Sequence, residues 1–565
     1  MKRFPVYSLA LFAVCALFAA PAGAAAGAAP VSPQSQACID CHKIYTPGIV
    51  EDWLTSRHAK VTPAQALSKP ALERRFSAAK APEGQEDVAV GCFECHGRNP
   101  EAHKDNFEHF GFSINVVVSP RDCAACHPVE QSQFAGSKKA YAWSNLEGNP
   151  LFHTLVDTIT GVKDVTDTGG IIIRKPSAEV AGIACYGCHG IPVTVKGLKK
   201  INTPIGVINV PDLVNWPNTG VGRVNPDGSM GACTACHPRH SFSIAVARKP
   251  QTCSQCHLEP DVPAWDVYGE SKHGGIFFSQ GSGWNFTRVP WRPGTDFKTP
   301  TCAACHSSLL VGPDGKVIAE RTHDFGSRLW VRLFGLVYST AQPKSGDTSI
   351  IKNKDGLPLP VTFTGEPASK YLIGPQEQAK REAAMKSVCN ACHSSDWTNG
   401  HFKQMDAAIK DADQMTYAAT KLMLEAWRLG LADKTNPFDQ AIEMDWVRQW
   451  LFYANTVKYA AAMTGAPDYT SFKNGFWDLS YNLRKIRDEI EVKKRLLGIT
   501  TAPAPLAPPA MTKEKKKKAA PKKRAIKKRT IKKRAIKKKA IKKKAVKNKR
   551  RKKKVRKKHT PSKQK

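Results

Sequence analysis

The feature that most constrains this chain is a five-residue unit, Cys-x-x-Cys-His, which occurs eight times. Sixteen of the 17 cysteines belong to these units, and only Cys15 stands apart. A single unit would also suit a zinc site, a redox dithiol or part of a disulfide framework. Eight units with no other cysteine between them favour one repeated chemistry. The units are Cys38, Cys41 and His42; Cys92, Cys95 and His96; Cys123, Cys126 and His127; Cys185, Cys188 and His189; Cys233, Cys236 and His237; Cys253, Cys256 and His257; Cys302, Cys305 and His306; and Cys389, Cys392 and His393.

Covalent haem attachment accounts for both the spacing of the thiols and the adjacent histidine. Two thiols add across the two vinyl groups of one haem, and the histidine binds its iron. The sequence therefore predicts eight covalently bound c-type haems, each with a motif histidine as an iron ligand. Because so many haems share a short stretch of chain, the cofactors themselves should form much of the core.

The N-terminus predicts export. Met1-Lys2-Arg3 is basic, Phe4 to Ala20 is largely apolar, and Ala22-Gly23-Ala24 suits signal cleavage. As a membrane anchor the apolar run would be short against the roughly 20 residues needed to span a bilayer, and the residues before Cys15 suit lipidation poorly. We therefore expect a signal peptide over 1–24 and a mature protein in the periplasm or at the cell surface, where oxidising conditions prevail.

The rest of the chain divides into four segments. We predict an octahaem cytochrome c domain over 25–402, a helical region over 403–497, a Pro/Ala linker over 498–511 and a Lys-rich tail over 512–565. The helical region has no haem motif, and its apolar residues recur at helical spacing, which favours a bundle of two or three long helices with these side chains in its core: Ile442, Trp446, Trp450, Tyr453 and Val457. No sustained strand alternation is present, so the fold class should be mainly α.

The net charge of +37 is concentrated in the tail. Residues 512–565 contain 32 Lys or Arg and a single acid, Glu514, whereas the other 511 residues carry only about +6. Haem propionates would make the body acidic. The tail has too few apolar groups to fold alone, so we expect it to be disordered. Its partner could be an anionic lipid, a cell-surface polymer, an acidic redox protein, a nucleic acid or the protein's own propionate-rich body.

Iron in a c-type haem takes a second axial ligand unless a substrate must reach it. Outside the motifs and the tail, eight histidines are available for this role: His58, His103, His109, His153, His240, His273, His323 and His401. His103 and His109 lie close together and compete for one role. Choosing His103 leaves seven distal ligands and one vacant iron.

Four segments make the chain resemble the octahaem hydroxylamine oxidoreductase family: Thr46–Trp53 with Ser56–Ala59, Cys236–Phe242, Glu270–Gly274 and Thr322–Gly326. The match covers roughly residues 38–490 and excludes the basic tail. The resemblance implies a mainly α fold with closely packed haems, often assembled as trimers. It also implies that the fourth haem, held by Cys185, Cys188 and His189, is catalytic with an open distal face, while the other seven carry electrons.

Two substitutions separate the chain from that family's pattern. Asp261-Val262-Pro263 replaces an Asp-His-Pro triplet whose histidine resembles a proton donor, so Asp261 is the candidate acid–base residue because valine cannot transfer protons. Lys139 replaces the histidine of a Ser-x-His-Ala pattern after the third motif. It is a surface lysine, a distal ligand or a cation near the site.

The tyrosine and the motif histidines also bear on the reaction. Oxidising members cross-link a tyrosine of a neighbouring subunit to the catalytic haem. Tyr459 and Tyr469 are candidates, and the sequence identifies neither as that residue. All eight motifs end in histidine, which argues against the nitrite reductase relatives whose catalytic motif ends in lysine.

Two functions are consistent with these observations. The first is an oxidoreductase that performs multi-electron chemistry on nitrite or hydroxylamine at the fourth haem, with reduction favoured over oxidation. The second is a non-catalytic electron conduit or store. Either would exchange electrons with partner cytochromes or with quinone-linked donors or acceptors.

Overall fold

The computed structural model describes residues 29–499. The predicted signal peptide over 1–24, Cys15, almost all of the linker over 498–511 and the basic tail over 512–565 lie outside the described residues. Among the described residues, no helix is both long and apolar enough to cross a membrane.

The described chain is mainly helical. It contains 21 α-helices: α1 Pro33–Tyr45, α2 Pro47–Thr55, α3 Pro63–Leu67, α4 Cys92–His96, α5 Pro120–Cys123, α6 Pro128–Ala135, α7 Ala142–Glu147, α8 Pro150–Thr160, α9 Ala178–Ile183, α10 Cys185–His189, α11 Ile244–Arg248, α12 Pro250–Cys253, α13 Ala264–Glu270, α14 Lys272–Gln280, α15 Cys302–His306, α16 Pro375–Asn390, α17 Ser395–Arg428, α18 Ala441–Val447, α19 Ala454–Ala462, α20 Pro467–Ser471 and α21 Phe476–Leu496. Single 3₁₀ turns occur at Pro100–Ala102, Cys233–Ala235, Gly281–Gly283 and Ser369–Tyr371, and a π-helical segment at Arg448–Tyr453 joins α18 to α19.

Strands occur only as two-stranded antiparallel pairs within the described residues. They are β1 Asn106–His109 with β2 Phe112–Asn115, β3 Val162–Val165 with β4 Ile171–Arg174, β5 Thr194–Thr203 with β6 Gly206–Val214, β7 Leu310–Val311 with β8 Val317–Ala319, and β9 Val331–Arg332 with β10 Thr340–Ala341. The long β5–β6 hairpin, where Thr203 faces Gly206, is the one substantial element that our sequence reasoning missed.

Proline and serine explain why many helices start where they do. Proline occupies the first turn of α1, α2, α3, α5, α6, α8, α12, α16 and α20, where its missing N–H breaks no hydrogen bond. At α1 the hydroxyl of Ser32 also accepts a hydrogen bond from the N–H of Ser35, and Ser394 caps α17 in the same way. The starts of many short helices are therefore determined by residues next to them in the sequence.

The C-terminal helices pack on one another. Helix α17 has 34 residues and contacts both α19 and α21, while α19 also contacts α13 in the haem-bearing part. The predicted boundary at 402/403 falls inside α17. Of the side chains that we predicted to lie in the core, Ile442, Trp446, Trp450 and Val457 are each at most 1% exposed, whereas Tyr453 is only half-buried. These helices therefore form a packed support for the haem-bearing part.

Candidate haem sites

The motif cysteines and histidines sit on short helical turns. In α1, α4, α10 and α15, the first cysteine and the histidine are four residues apart on one helix, so they share a face. All sixteen motif cysteines are free thiols. Within residues 29–499 they are therefore available for thioether bonds to haem.

One large cavity runs past seven of the eight motifs. Its volume is about 1720 Å³, well above the roughly 300–1,000 Å³ of an ordinary ligand pocket. Cysteines and histidines of motifs one, two, three, five, six, seven and eight line it. Cys185, Cys188 and His189 of the fourth motif do not belong to its lining. A space of this size, edged by thiols and imidazoles, suits several haems in contact.

Thiol contacts connect the motifs in a definite order. Neighbouring cysteines that influence each other's pKa lie between motifs one and two, three and five, six and seven, and four and six: Cys38–Cys92, Cys123–Cys233, Cys253–Cys302 and Cys188–Cys256. Closely placed cysteines also link motifs two and three, five and six, and seven and eight: Cys95–Cys126, Cys236–Cys253 and Cys305–Cys389. The order is therefore 1–2–3–5–6–7–8, with motif four attached as a branch at motif six.

Backbone contacts orient several motif imidazoles for iron binding. His189 Nδ1 lies 3.0 Å from the carbonyl oxygen of Ala142, and His96 Nδ1 lies 2.7 Å from that of Asn115. A carbonyl only accepts, so each Nδ1 carries the proton and each Nε2 keeps its lone pair. A hydrogen bond of this kind fixes the tautomer of a metal-binding histidine. These histidines thus fit iron ligation through Nε2.

Three further histidines stand opposite motif histidines at the spacing of a shared metal. The ring centroids are 6.2 Å apart for His109 and His42, 6.3 Å for His58 and His127, and 6.2 Å for His273 and His393. An imidazole nitrogen binds a first-row metal at about 2.0–2.1 Å. Two imidazoles on opposite sides of one iron therefore have centroids about 6 Å apart. The histidine pairs at the first, third and eighth motifs therefore fit a haem iron that would be held by two imidazoles.

Three other predicted ligands also lie beside motif residues. His240 lies near His96 of the second motif, and His323 lies near His237 of the fifth. His401 lies near His393 of the eighth motif, and its Nε2 is 3.3 Å from the backbone carbonyl oxygen of Ala462. Burial lowers the pKa of His323 to about 4, which keeps its ring neutral and able to bind a metal.

His103 does not have the geometry of the distal ligand that we predicted. Its side chain is fully buried, with Nδ1 3.1 Å from Asp105 and Nε2 3.1 Å from Asp122. Burial lowers the pKa of His103, but the hydrogen bonds to Asp105 and Asp122 outweigh that effect and raise it to about 9. Both nitrogens are therefore committed to carboxylates. His109, which our ligand set left out, faces His42 instead.

His153 is also misplaced for the ligand role that we predicted. Its ring lies 3.4 Å from Glu147 and 3.5 Å from Asp157, with 30% of its side chain exposed. It does not belong to the cavity lining. The ring of His153, on α8, thus lies between the carboxylates of Glu147 and Asp157. Counting histidines in the sequence therefore overestimated the number of histidine ligands.

The fourth motif faces a different set of groups. The backbone carbonyl of Ala142 accepts a hydrogen bond from Nδ1 of His189. The carboxyl of Asp261 lies close enough to affect the pKa values of Cys185, Cys188 and His189. Asp261 is solvent-accessible on one side. Protein packed around its other side disfavours the carboxylate and raises the pKa of Asp261 above its ordinary value.

Helix α19, which follows the π-helical segment, lies next to Asp261. Asn455 donates from Nδ2 to the backbone carbonyl of Asp261 over 3.1 Å. Tyr459, one turn further on, has its pKa raised to about 12 by burial, and it lies near Arg332 and Asp261. Tyr469 instead accepts a hydrogen bond from Lys473 over 2.6 Å. Asn455 and Arg332 were not foreseen, because nothing in the local sequence links them to the fourth motif.

Comparison with known proteins places this geometry in a family. The sequence profile of a family described as "Seven times multi-haem cytochrome CxxCH" matches residues 227–314, which hold the fifth, sixth and seventh motifs. A solved structure described as a hypothetical multiheme protein is 41% identical, covers 84% of this chain and 98% of its own, and has a TM-score of 0.77. This chain belongs to the multihaem cytochrome c family.

Two further relatives connect this multihaem cytochrome with hydroxylamine oxidoreductase-like (HAO-like) proteins. A probable nitrite reductase–hydroxylamine oxidoreductase fusion protein of Kuenenia stuttgartiensis is 24% identical over 409 residues, which are 69% of this chain. The matched part spans only 36% of that relative. A reducing HAO-like protein complex of the same organism shares the fold, with 19% identity, a TM-score of 0.54, and coverage of 82% of this chain and 86% of its own. The chain is thus similar to HAO-like proteins in part of its sequence and in its fold.

Proposed function

We propose that this multihaem cytochrome binds eight haems, is exported to the periplasm or cell surface, and reduces nitrite or hydroxylamine at an open fourth haem. The observation that carries the proposal is the isolation of the fourth motif. It lies outside the cavity shared by the other seven, and Asp261 is near it where five other motifs have a non-motif histidine nearby.

The residues around the fourth motif suit a reaction that consumes protons and electrons. A bound c-type haem would supply one-electron redox chemistry and an accessible coordination position. Asp261 holds a proton at its carboxyl to higher pH than an ordinary aspartate does. Asn455 positions the backbone of Asp261, and Ala142 orients His189. The thiol contact between Cys188 and Cys256 places the electron path next to this site.

Reduction is favoured over oxidation on two grounds. The family's oxidising members use a tyrosine from a neighbouring subunit, whereas Tyr459 lies beside Asp261 in the same chain. One structural neighbour is described as a reducing HAO-like complex. Partner cytochromes or quinone-linked donors would supply the electrons.

A second candidate function is an electron conduit without catalysis. The neighbouring placement of motifs 1–2–3–5–6–7–8 favours it, since haems held at these motifs would pass electrons to one another whether or not the branch at motif four reacts. Val262 stands where the family has a proton-donating histidine, which also favours a conduit without catalysis.

Two parts of the chain are relevant to the proteins or polymers that it would bind. Ile171, Ile183 and Val207, on the segments flanking the fourth motif, are 70%, 86% and 63% exposed. Exposed apolar side chains near one motif favour a homo-oligomer, a trimer by the family resemblance. The basic tail over 512–565 would tether the protein to an anionic surface or polymer.

The deciding experiment measures the spin states of the purified, haem-loaded protein with and without nitrite or hydroxylamine. We expect one high-spin haem among eight, with a signal that shifts on addition of either compound while the low-spin signals stay unchanged. Eight low-spin haems with no response would contradict the enzyme and leave the conduit.

A further inference from the structure

The sixth motif lacks the non-motif histidine that lies near the first, second, third, fifth and eighth motifs. The groups that most influence its histidine, His257, are Lys139, His306 and His189. His306 and His189 belong to the seventh and fourth motifs and are needed by their own irons. Among residues 29–499, no non-motif histidine is therefore placed to ligate the sixth iron.

Lys139 occupies the position opposite His257. Its Nζ donates a hydrogen bond of 2.8 Å to His257 Nε2, the nitrogen through which a motif histidine binds iron. Lys139 also lines the cavity and is half-buried. The backbone N–H of Lys139 donates a hydrogen bond of 3.3 Å to the hydroxyl oxygen of Ser137. The side chain thus reaches inward to the place where the sixth haem must sit.

From this geometry we propose that the neutral amine of Lys139 is the distal axial ligand of the sixth haem iron, opposite His257. The inference rests on the proposed eight-haem state, and it assigns the sixth site rather than the fourth. An amine nitrogen has one lone pair and binds a metal once it has lost its proton.

The distances permit the ligation with a small movement. Two nitrogens at about 2.0–2.1 Å on opposite sides of one metal are about 4 Å apart, whereas Nζ and Nε2 are 2.8 Å apart here. The flexible four-carbon stem of lysine allows Nζ to withdraw by that difference.

Near-infrared magnetic circular dichroism of the fully oxidised, haem-loaded protein tests this directly. The charge-transfer band of a low-spin haem with one amine and one imidazole ligand differs in energy from that of a haem with two imidazoles. We expect an amine–imidazole band with the intensity of one haem. It should vanish in Lys139→Gln, with the sixth haem becoming high-spin, and be replaced by added bis-imidazole intensity in Lys139→His.

The neighbouring Lys138→Gln is the matched control. Lys138 is also half-buried, but its Nζ donates to the side chain of Gln342 over 2.9 Å, so the amine–imidazole band should persist in this variant. Absence of the band in the wild-type protein, or its persistence in Lys139→Gln, would overturn the proposal. So would a Lys139→Gln variant that changes only the nitrite response of the fourth haem, because Lys139 would then act as a charge near that site. Each result is independent of whether the fourth haem reduces nitrite.

Discussion

The fourth motif and the other seven are alike locally and differ in what surrounds them. Each is a Cys-x-x-Cys-His turn, and His189 and His96 are oriented by the same type of hydrogen bond to a backbone carbonyl. In the shared cavity, however, histidines such as His109 and His58 stand across from motif histidines. At the fourth motif the nearby groups are the carboxyl of Asp261, the side chain of Lys139 and, beside Asp261, Tyr459. The eight motifs thus share one local geometry and differ in the groups that face them.

The strongest test of this comparison removes the proximal ligand of the fourth haem. In His189→Ala we expect turnover with nitrite or hydroxylamine to be lost, because the reacting iron loses its protein ligand, while the signals of the other haems remain. Optical titration with nitrite measures the effect. The same change at His42 should leave the nitrite response intact, and equal losses in both variants would contradict a special role for the fourth haem.

The next largest effect should come from the carboxyl. A positioned proton donor contributes about 10²–10⁴-fold to a rate, so Asp261→Asn should lower turnover by at least about 100-fold with nitrite binding retained. Burial raises the pKa of Asp261 above 3.8. Wild-type activity should therefore fall as pH rises past this elevated pKa, and Asp261→Asn should lose that dependence. Glu259→Gln, a nearby carboxyl change, serves as the control, and an equal loss in it would remove the assignment to Asp261.

A third test separates a buried structural histidine from a ligand. His103→Leu leaves Asp105 and Asp122 buried without their partner, which typically costs about 3–5 kcal/mol of folding free energy. The pKa of His103 is about 9 against the ordinary 6.5. Its stabilisation is therefore complete below about pH 6.5 and is lost as pH rises through 9.

Urea unfolding followed by circular dichroism at pH 6.5 and 9.5 checks this expectation. The wild-type protein should be less stable at the higher pH, and His103→Leu should show a smaller difference between the two. A loss of low-spin haem intensity in His103→Leu, without a loss of stability, would restore His103 as a ligand.

The smallest effect should follow from His109→Leu. The first haem should lose one axial ligand, so one eighth of the haems should change from low-spin to high-spin. The nitrite response of the fourth haem should persist, since motif one lies at the far end of the thiol order. Electron paramagnetic resonance of the oxidised protein measures this. An unchanged low-spin signal would contradict the pairing of His109 with His42.

Much of the molecule is encoded locally and could be predicted from the sequence. The haem sites follow from cysteine and histidine spacing, because thioether formation needs two thiols three positions apart and an adjacent imidazole. Prolines and serines set the starts of many helices through backbone chemistry alone. The buried stripe of Trp446 and Trp450 followed from helical periodicity. The resemblance to HAO-like proteins rested on short segments next to these motifs.

Tertiary structure decided which histidine meets which iron. His103 and His109 are six residues apart and equivalent as sequence, yet one is enclosed by Asp105 and Asp122 and the other faces His42. His153 was indistinguishable from a ligand until its surface position was known, and Lys139 from a surface lysine until Nζ lay beside His257. A distal ligand and the motif histidine it faces lie a few ångströms apart but come from distant parts of the chain. The spacing of residues along the sequence therefore does not reveal which two will be in contact.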